Sequence, residues 1–240
     1  MACRHHEPCA LTRRSTRTSR VRALRAGSGS PVSSISLGRM KSFVELPQSP
    51  LQGLSVVDLV SQGESALQAF FEANPLYFLA VHGEPAHSSE AHEEIYGALP
   101  ADLPYTHKYV FGYQDSSGQL AAMANVISDL LAHGIWHIGT FIVATARHGT
   151  GDAQVLYGSL EYWARQAGAC WMRLGVVRGH LRAEAFWERQ GYLQVAERSG
   201  IAMGRKLNSI RVMAKPLLDQ SLPEYYALAA RDRPASTNAA

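Results

Sequence analysis

The stretch VATARHGTGDAQVLYGSLEYWA, Val143 to Ala164, sets two glycines one residue apart between an apolar run and a helical pattern. Glycines at that point permit a tight turn and a close approach of backbone to a ligand. Consecutive N–H groups from Gly149 to Ala153, at the positive end of the helix that follows, make a candidate anion site. Beyond them Leu156, Leu160, Trp163 and Ala167 recur at helical spacing and Gly168 stops the pattern, so a helix with an apolar core stripe is expected. Two phosphate signatures fail here. A GxxxxGK[ST] loop lacks its spacing and its Lys, and a GxGxxG fingerprint meets Gln154 where its third glycine belongs.

Immediately upstream, IWHIGTFIVAT is a near-continuous apolar run of strand length, read as a central strand buried on both faces. Downstream, CWMRLGVV reads as the next strand. Strand, loop, helix and strand in that order predict a right-handed crossover with two parallel strands. HKYVFGYQDSSGQLAAMANVI reads as a hairpin turning at Asp115 to Gly118, which adds antiparallel strands. RAEAFWERQG is a short helix ending at Gly191, followed by strands in YLQVAER and SIRVMAKPL. Before the hairpin, SALQAFFEANPLYFL predicts a helix stopped by Asn74 and Pro75, and SSEAHEEIYGAL another that Ser89 caps with acids in its first turn. The expected fold is α/β, with a mixed sheet of about seven strands and helices on both faces.

The chain has 240 residues, 46% of them apolar, enough for one domain with a sizeable core. No apolar run approaches the roughly 20 residues that cross a bilayer, so a cytoplasmic protein without membrane attachment is expected. The formal charge of +3 conceals a division. Residues 1–39 hold eight Arg and one Glu, leaving the remainder mildly acidic, which argues against nucleic acid as a partner. That leader is expected to be disordered or to precede a true start at Met40; residues 40–217 form the domain, and 218–240 a flexible tail. Cys170 alone of the three cysteines falls in the body, with no His at metal-ligand or triad spacing, so it is read as packing and no metal is expected.

The glycine segment resembles the acetyl-CoA signature [QR]xxGxG/A of the GCN5-related N-acetyltransferase (GNAT) family, with His148, Gly149, Thr150, Gly151, Asp152 and Ala153 in register. The likeness continues at HLRAEAFWERQGY, His180 to Tyr192, against the family pattern NxxAxxFYxxxGF; Ala183, Phe186, Glu188, Gly191 and Tyr192 match. The resemblance spans about residues 106–198 and implies a GNAT-like fold and direct acetyl transfer from acetyl-CoA to an amine of a small molecule or peptide. It implies that the coenzyme's arm pairs with backbone near Phe141, Ile142 and Val143 in a V between splayed strands, and that its diphosphate rests on the glycine loop. Ala183, Phe186 and Trp187 would flank it.

The departures have chemical consequences. His148 stands for Gln or Arg, with Arg147 beside it as a substitute charge; Asp152 replaces an apolar residue and competes with phosphate for the same amides. His180 replaces the Asn that contacts the arm. Trp187 replaces the Tyr that protonates the departing thiolate, and an indole N–H is no acid. An alkylamine is free base for only about one molecule in 2,500 at pH 7, a handicap of roughly 4.6 kcal/mol, so a base is required. IWHIGTFIV holds no acid, which leaves His137 as the candidate base, against a packed histidine beside Trp136. Phe70, Phe71, Tyr77, Phe78 and Tyr96 suggest apolar walls for the acceptor. The competing readings are a CoA-binding sensor or partner module with weak or no turnover, and an unrelated nucleotide-binding domain. Either a monomer or a homodimer fits.

Overall fold

The computed structural model describes residues 44–234; the basic leader and the last six residues lie outside the described residues. Seven strands form one sheet in the order β1 (Leu54–Asp58), β2 (His107–Asp115), β3 (Leu120–Ser128), β4 (Ile135–Val143), β5 (Trp171–Val177), β7 (Lys206–Pro216), β6 (Leu193–Met203). Only β4 and β5 are parallel. The helices are α1 (Leu59–Gln62), α2 (Glu64–Ala73), α3 (Leu76–Val81), α4 (Glu90–Tyr96), α5 (Asp152–Gln166), α6 (Leu181–Arg189) and α7 (Leu222–Leu228). The expected mixed sheet with its single crossover is present.

Local chemistry sets these elements. Asp115 turns the β2–β3 hairpin by accepting from the amides of Ser117 and Gln119 at 2.9 and 3.0 Å, and Gly118 takes φ +84°. On α5, Leu156, Leu160 and Trp163 are buried. The Trp163 ring packs edge-on against Tyr109, Phe111 and Trp136 on one sheet face. On the other face α1, α2, α3 and α4 bury Leu59, Leu67, Phe70, Phe71, Phe78 and Ile95 against Val110, Met123 and Ile142. Each such side chain contributes roughly 1.5–3 kcal/mol relative to exposure.

The feature that positions the site is a parting of strands. β4 pairs with β5 only from Ile135 opposite Trp171 to Ile138 opposite Leu174. Beyond that β4 stays with β3 up to Val143, and β5 stays with β7 up to Val177. The register of β3 on β4 jumps between Asn125, opposite Thr140, and Val126, opposite Ile138, which leaves Gly139 bulged. A bulge bends its strand and increases the local twist, so the extra residue falls where β4 must turn away.

Several expectations are corrected. The helix in SALQAFFEANPLYFL stops at Asn74 as expected, but a second helix follows, which Pro75 at φ −69° opens as α3. Ser89 stands at the α4 N-cap, but its hydroxyl donates to Glu93 at 2.8 Å and caps no amide. β1 was not foreseen, and β6 runs on to Met203. The flexible tail expected over 218–240 is ordered over much of its length. Ser221 and Glu224 form a capping box that starts α7, Tyr225 is fully buried against Trp171, and a short 3-10 turn carries Asp232 into the interior.

Candidate functional site

The parting of β4 and β5 opens a cleft of about 1010 Å³. At its rim, Gly149 and Gly151 adopt φ +86° and +91°, and apart from the adjacent residues no atom lies within 4 Å of where a Cβ on either would stand. The amides of Gly149, Thr150, Gly151 and Ala153 have no hydrogen-bond partner among the described residues, whereas those of Asp152 and Gln154 donate to Thr150 Oγ1 and to the Gly151 carbonyl. Thr150 Oγ1 donates to the Arg147 carbonyl at 2.8 Å and holds the turn. The loop therefore presents unpaired donors and open space at the start of a four-turn helix, which suits an anionic group.

Most of the residues singled out from sequence meet in this cleft. His137, Phe141, Ile142, Val143, His148, Gly149, Gly151, Ala153, His180, Ala183, Phe186 and Trp187 all line it. Arg147, Thr150 and Asp152 do not, and the first and last pair with each other at 2.7 Å. The charge expected from Arg147 is thus directed to Asp152, and that pairing also quiets the competing carboxylate. A different arginine serves the loop. Arg182 of α6 lines the cleft and donates to Nδ1 of His148 at 2.9 Å, so His148 carries its proton on Nε2 and donates it to the Val143 carbonyl at 2.9 Å. Burial, then the charge of Arg182, lowers the pKa of His180.

Helix α6 is held by an aromatic cluster. Trp187 packs against Tyr157 and Tyr192, and Phe186 stacks on Phe141 of β4. The buried Tyr157 and Tyr192 hydroxyls hydrogen-bond each other at 3.1 Å. Trp187 and Tyr192 are anchors for the helix.

His137 lies on the cleft wall at the last paired rows of β4 and β5, beside its register partner Arg173. Arg173 donates from Nη1 to His137 Nδ1 at 3.3 Å. Burial, then the Arg173 charge, holds the imidazole down to about 3 against the opposing pull of Asp232. The ring is neutral across the working range and its lone pair is engaged. The Arg173 hydrogen bond and the lowered pKa both disfavour the base expected at His137, because an imidazole whose lone pair is engaged is a poor acceptor for an amine's proton.

A carboxyl that sequence reading missed lies nearby. Glu94 of α4 accepts from Asn125 Nδ2 at 2.7 Å and from Thr140 Oγ1 at 3.2 Å. Burial raises its pKa, with the Asn125 and Thr140 hydrogen bonds and the Lys108 charge opposing. Thr140 and Tyr77 both line the cleft, and the Tyr77 phenol interacts with Thr140. Ala91, Glu94 and Ile95 fall at i, i+3 and i+4, so a carboxyl on the apolar stripe of α4 was the signal available.

The far end of the cleft lies between α3 and the β6–β7 hairpin. Leu76, Tyr77 and Val81 face Ile201, Met203 and Ile210. Lys206 donates to the Leu79 and Ala80 carbonyls at 3.1 and 2.8 Å, and Asn208 to that of Val81 at 2.9 Å. Of the aromatic walls expected there, only Tyr77 lines the cleft; Phe70, Phe71 and Phe78 are core, and Tyr96 is exposed. Arg173 and Arg198 converge on Asp232, which also accepts from Tyr225 at 2.7 Å.

A cleft between splayed parallel strands, with a glycine loop at its rim leading into a helix, defines an acyl-CoA N-acyltransferase fold. The chain belongs to the acetyltransferase (GNAT) family, whose model matches residues 67–192. It is accordingly an acyltransferase of the N-acetyltransferase class. Among solved structures it is similar to the ribosomal-protein-S18-alanine N-acetyltransferase of Escherichia coli, at 14% identity and TM-score 0.50 over 78% of this chain and 99% of that one. It is also similar to an acetyltransferase of Thermus thermophilus, at 17% identity and TM-score 0.53 over 68% and 97%. The spermidine N-acetyltransferase of Vibrio cholerae, solved with CoA and spermine, matches at 16% identity and TM-score 0.53 over 69% and 96%. No curated protein sequence matches the chain at a significant level.

Proposed function

We propose that the protein transfers an acetyl group from acetyl-CoA directly to an amine of a small molecule or peptide in the cytoplasm. The observation that carries the donor assignment is the set of unpartnered amides at Gly149, Thr150, Gly151 and Ala153, set over a glycine pair with open space beside it. A diphosphate fits those donors, and Arg182 adds charge beside the loop. Among the described residues no helix is long and apolar enough to cross a membrane. The Vibrio cholerae relative's complex with CoA supports the coenzyme.

When bound, acetyl-CoA supplies an acyl thioester. The chain's own residues do the rest. The β4 edge beyond Ile138 has no partner strand on its β5 side, so its backbone offers donors to an acyl oxygen as charge develops there. Phe141, Ile142 and Val143 on that edge, with Ala183 and Phe186 of α6, wall the channel for the arm. The amine's proton passes along Tyr77 and Thr140 to Glu94, whose buried carboxyl, raised from the ordinary carboxylate range, is the proton acceptor within hydrogen-bond reach of Thr140.

Thermal unfolding with acetyl-CoA, CoA and ATP, followed by thiol release across a panel of amines, tests this reading. At 100 times its dissociation constant a ligand adds about 2.7 kcal/mol, so stabilisation by both CoA forms is expected to be plain. Stabilisation by ATP alone would overturn the reading, as would binding of CoA without thiol release.

A further inference from the structure

Among the described residues the cleft wall holds four arginines, Arg173, Arg182, Arg189 and Arg198, and no Asp or Glu. Arg182 is engaged with the glycine loop through His148. Arg173 and Arg198 have no such tie, because they project from β5 and β6 and converge on Asp232. Every guanidinium nitrogen of Arg173 has a partner: Nε and Nη2 donate to Asp232 at 2.7 and 3.0 Å, and Nη1 to His137. Arg198 differs. Its Nη2 serves Asp232 at 2.6 Å and the Arg231 carbonyl at 3.0 Å, while Nε and Nη1 have no partner among the described residues, and a third of the side chain stays exposed.

Two guanidiniums share one carboxylate beside a neutral imidazole, so this part of the wall has an excess positive charge with donors left over. The neighbouring surface is apolar: Ile201 and Met203 on β6, with Leu76 and Val81 across from them on α3. We infer that the acceptor is an amine bearing a carboxylate and an apolar body, and that Arg198, steadied by Asp232, is the residue that selects it. This rests on the acetyl-transfer reading above. A polyamine would place further cations against Arg198 and Arg173, whereas a carboxylate gains charge-assisted hydrogen bonds from donors already in place.

The test is calorimetric titration of the CoA-bound protein with matched products: N-acetylleucine and N-acetylmethionine against their C-terminal amides. Wild type is expected to bind the acids about tenfold or more tighter than the amides. Arg198→Gln is expected to erase that preference and Arg198→Lys to keep part of it, which separates lost charge from lost folding. Equal or undetectable binding of acid and amide by wild type overturns the inference, and so does an acid preference that survives Arg198→Gln. Stabilisation of wild type by acetyl-CoA, measured alongside, separates the two readings. Its presence without acid preference removes this inference alone, and its absence removes the acetyl-transfer reading as well.

Discussion

Arg173 and His137 face each other across the last paired rows of β4 and β5, with Arg173 Nη1 donating to His137 Nδ1 at 3.3 Å. A guanidinium has only donors, so the contact requires an unprotonated Nδ1. The folded state thereby excludes a proton that the unfolded chain accepts near pH 6.5.

Stability should follow from this. With the folded imidazole at about 3, this residue's contribution is fully present above about pH 6.5 and is lost as pH falls toward 3. His137→Gln is expected to flatten the dependence of the urea midpoint on pH between about 7 and 5. An unchanged slope would show that the ring is solvated and not held by Arg173.

Glu94 should matter to chemistry more than to binding. Glu94→Gln keeps hydrogen-bonding capacity toward Asn125 and Thr140 but cannot take a proton. The expected loss is about a hundredfold in kcat, with the dissociation constant for acetyl-CoA nearly unchanged. His137→Gln under the same assay should lose far less, and the reverse ranking would return the base to β4.

Gly151 stands at φ +91° with open space around it, so Gly151→Ala fails through backbone conformation and not through a clash. The left-handed region costs an alanine about 1–2 kcal/mol, and relief of that strain turns the loop amides away. Acetyl-CoA affinity should drop about tenfold, read by calorimetry, while the far-ultraviolet spectrum stays the same.

Asp232 is fully buried and accepts from Arg173, Arg198 and Tyr225. Burial alone would raise its pKa, but the hydrogen bonds and charge of Arg173, with those from Tyr225 and Arg198, hold it down to about 2. Its contribution is present above about pH 4 and lost between about pH 4 and 2. Asp232→Asn leaves Arg173 partly unpaired in the interior and is expected to cost about 3 kcal/mol, measured as a shift of the urea midpoint at neutral pH.

What sequence could reveal here follows the range of the interactions. The glycine loop, α5 and α6 are written in neighbouring residues, as in the stripe Leu156, Leu160, Trp163, and were legible. The hairpin at Asp115 was equally local. Glu94 meets Asn125 and Thr140 across 31 and 46 positions of chain, so only the sheet shows that an acid stands over β4. Arg147 illustrates the converse, since adjacency to the loop suggested a phosphate ligand and its side chain found Asp152 instead. The C-terminal segment has a weak apolar pattern because it is fixed by two buried side chains, Tyr225 and Asp232, whose partners lie on β5 and β6.

The β6–β7 hairpin grips α3 through Lys206 and Asn208, and in each case the acceptor is a main-chain carbonyl. Carbonyls persist whatever side chains α3 bears. Leu76, Val81, Ile201 and Met203 are therefore free to vary as a set, and the chamber they enclose can be re-tailored to a new acceptor by exchanging its lining while its scaffold stays fastened.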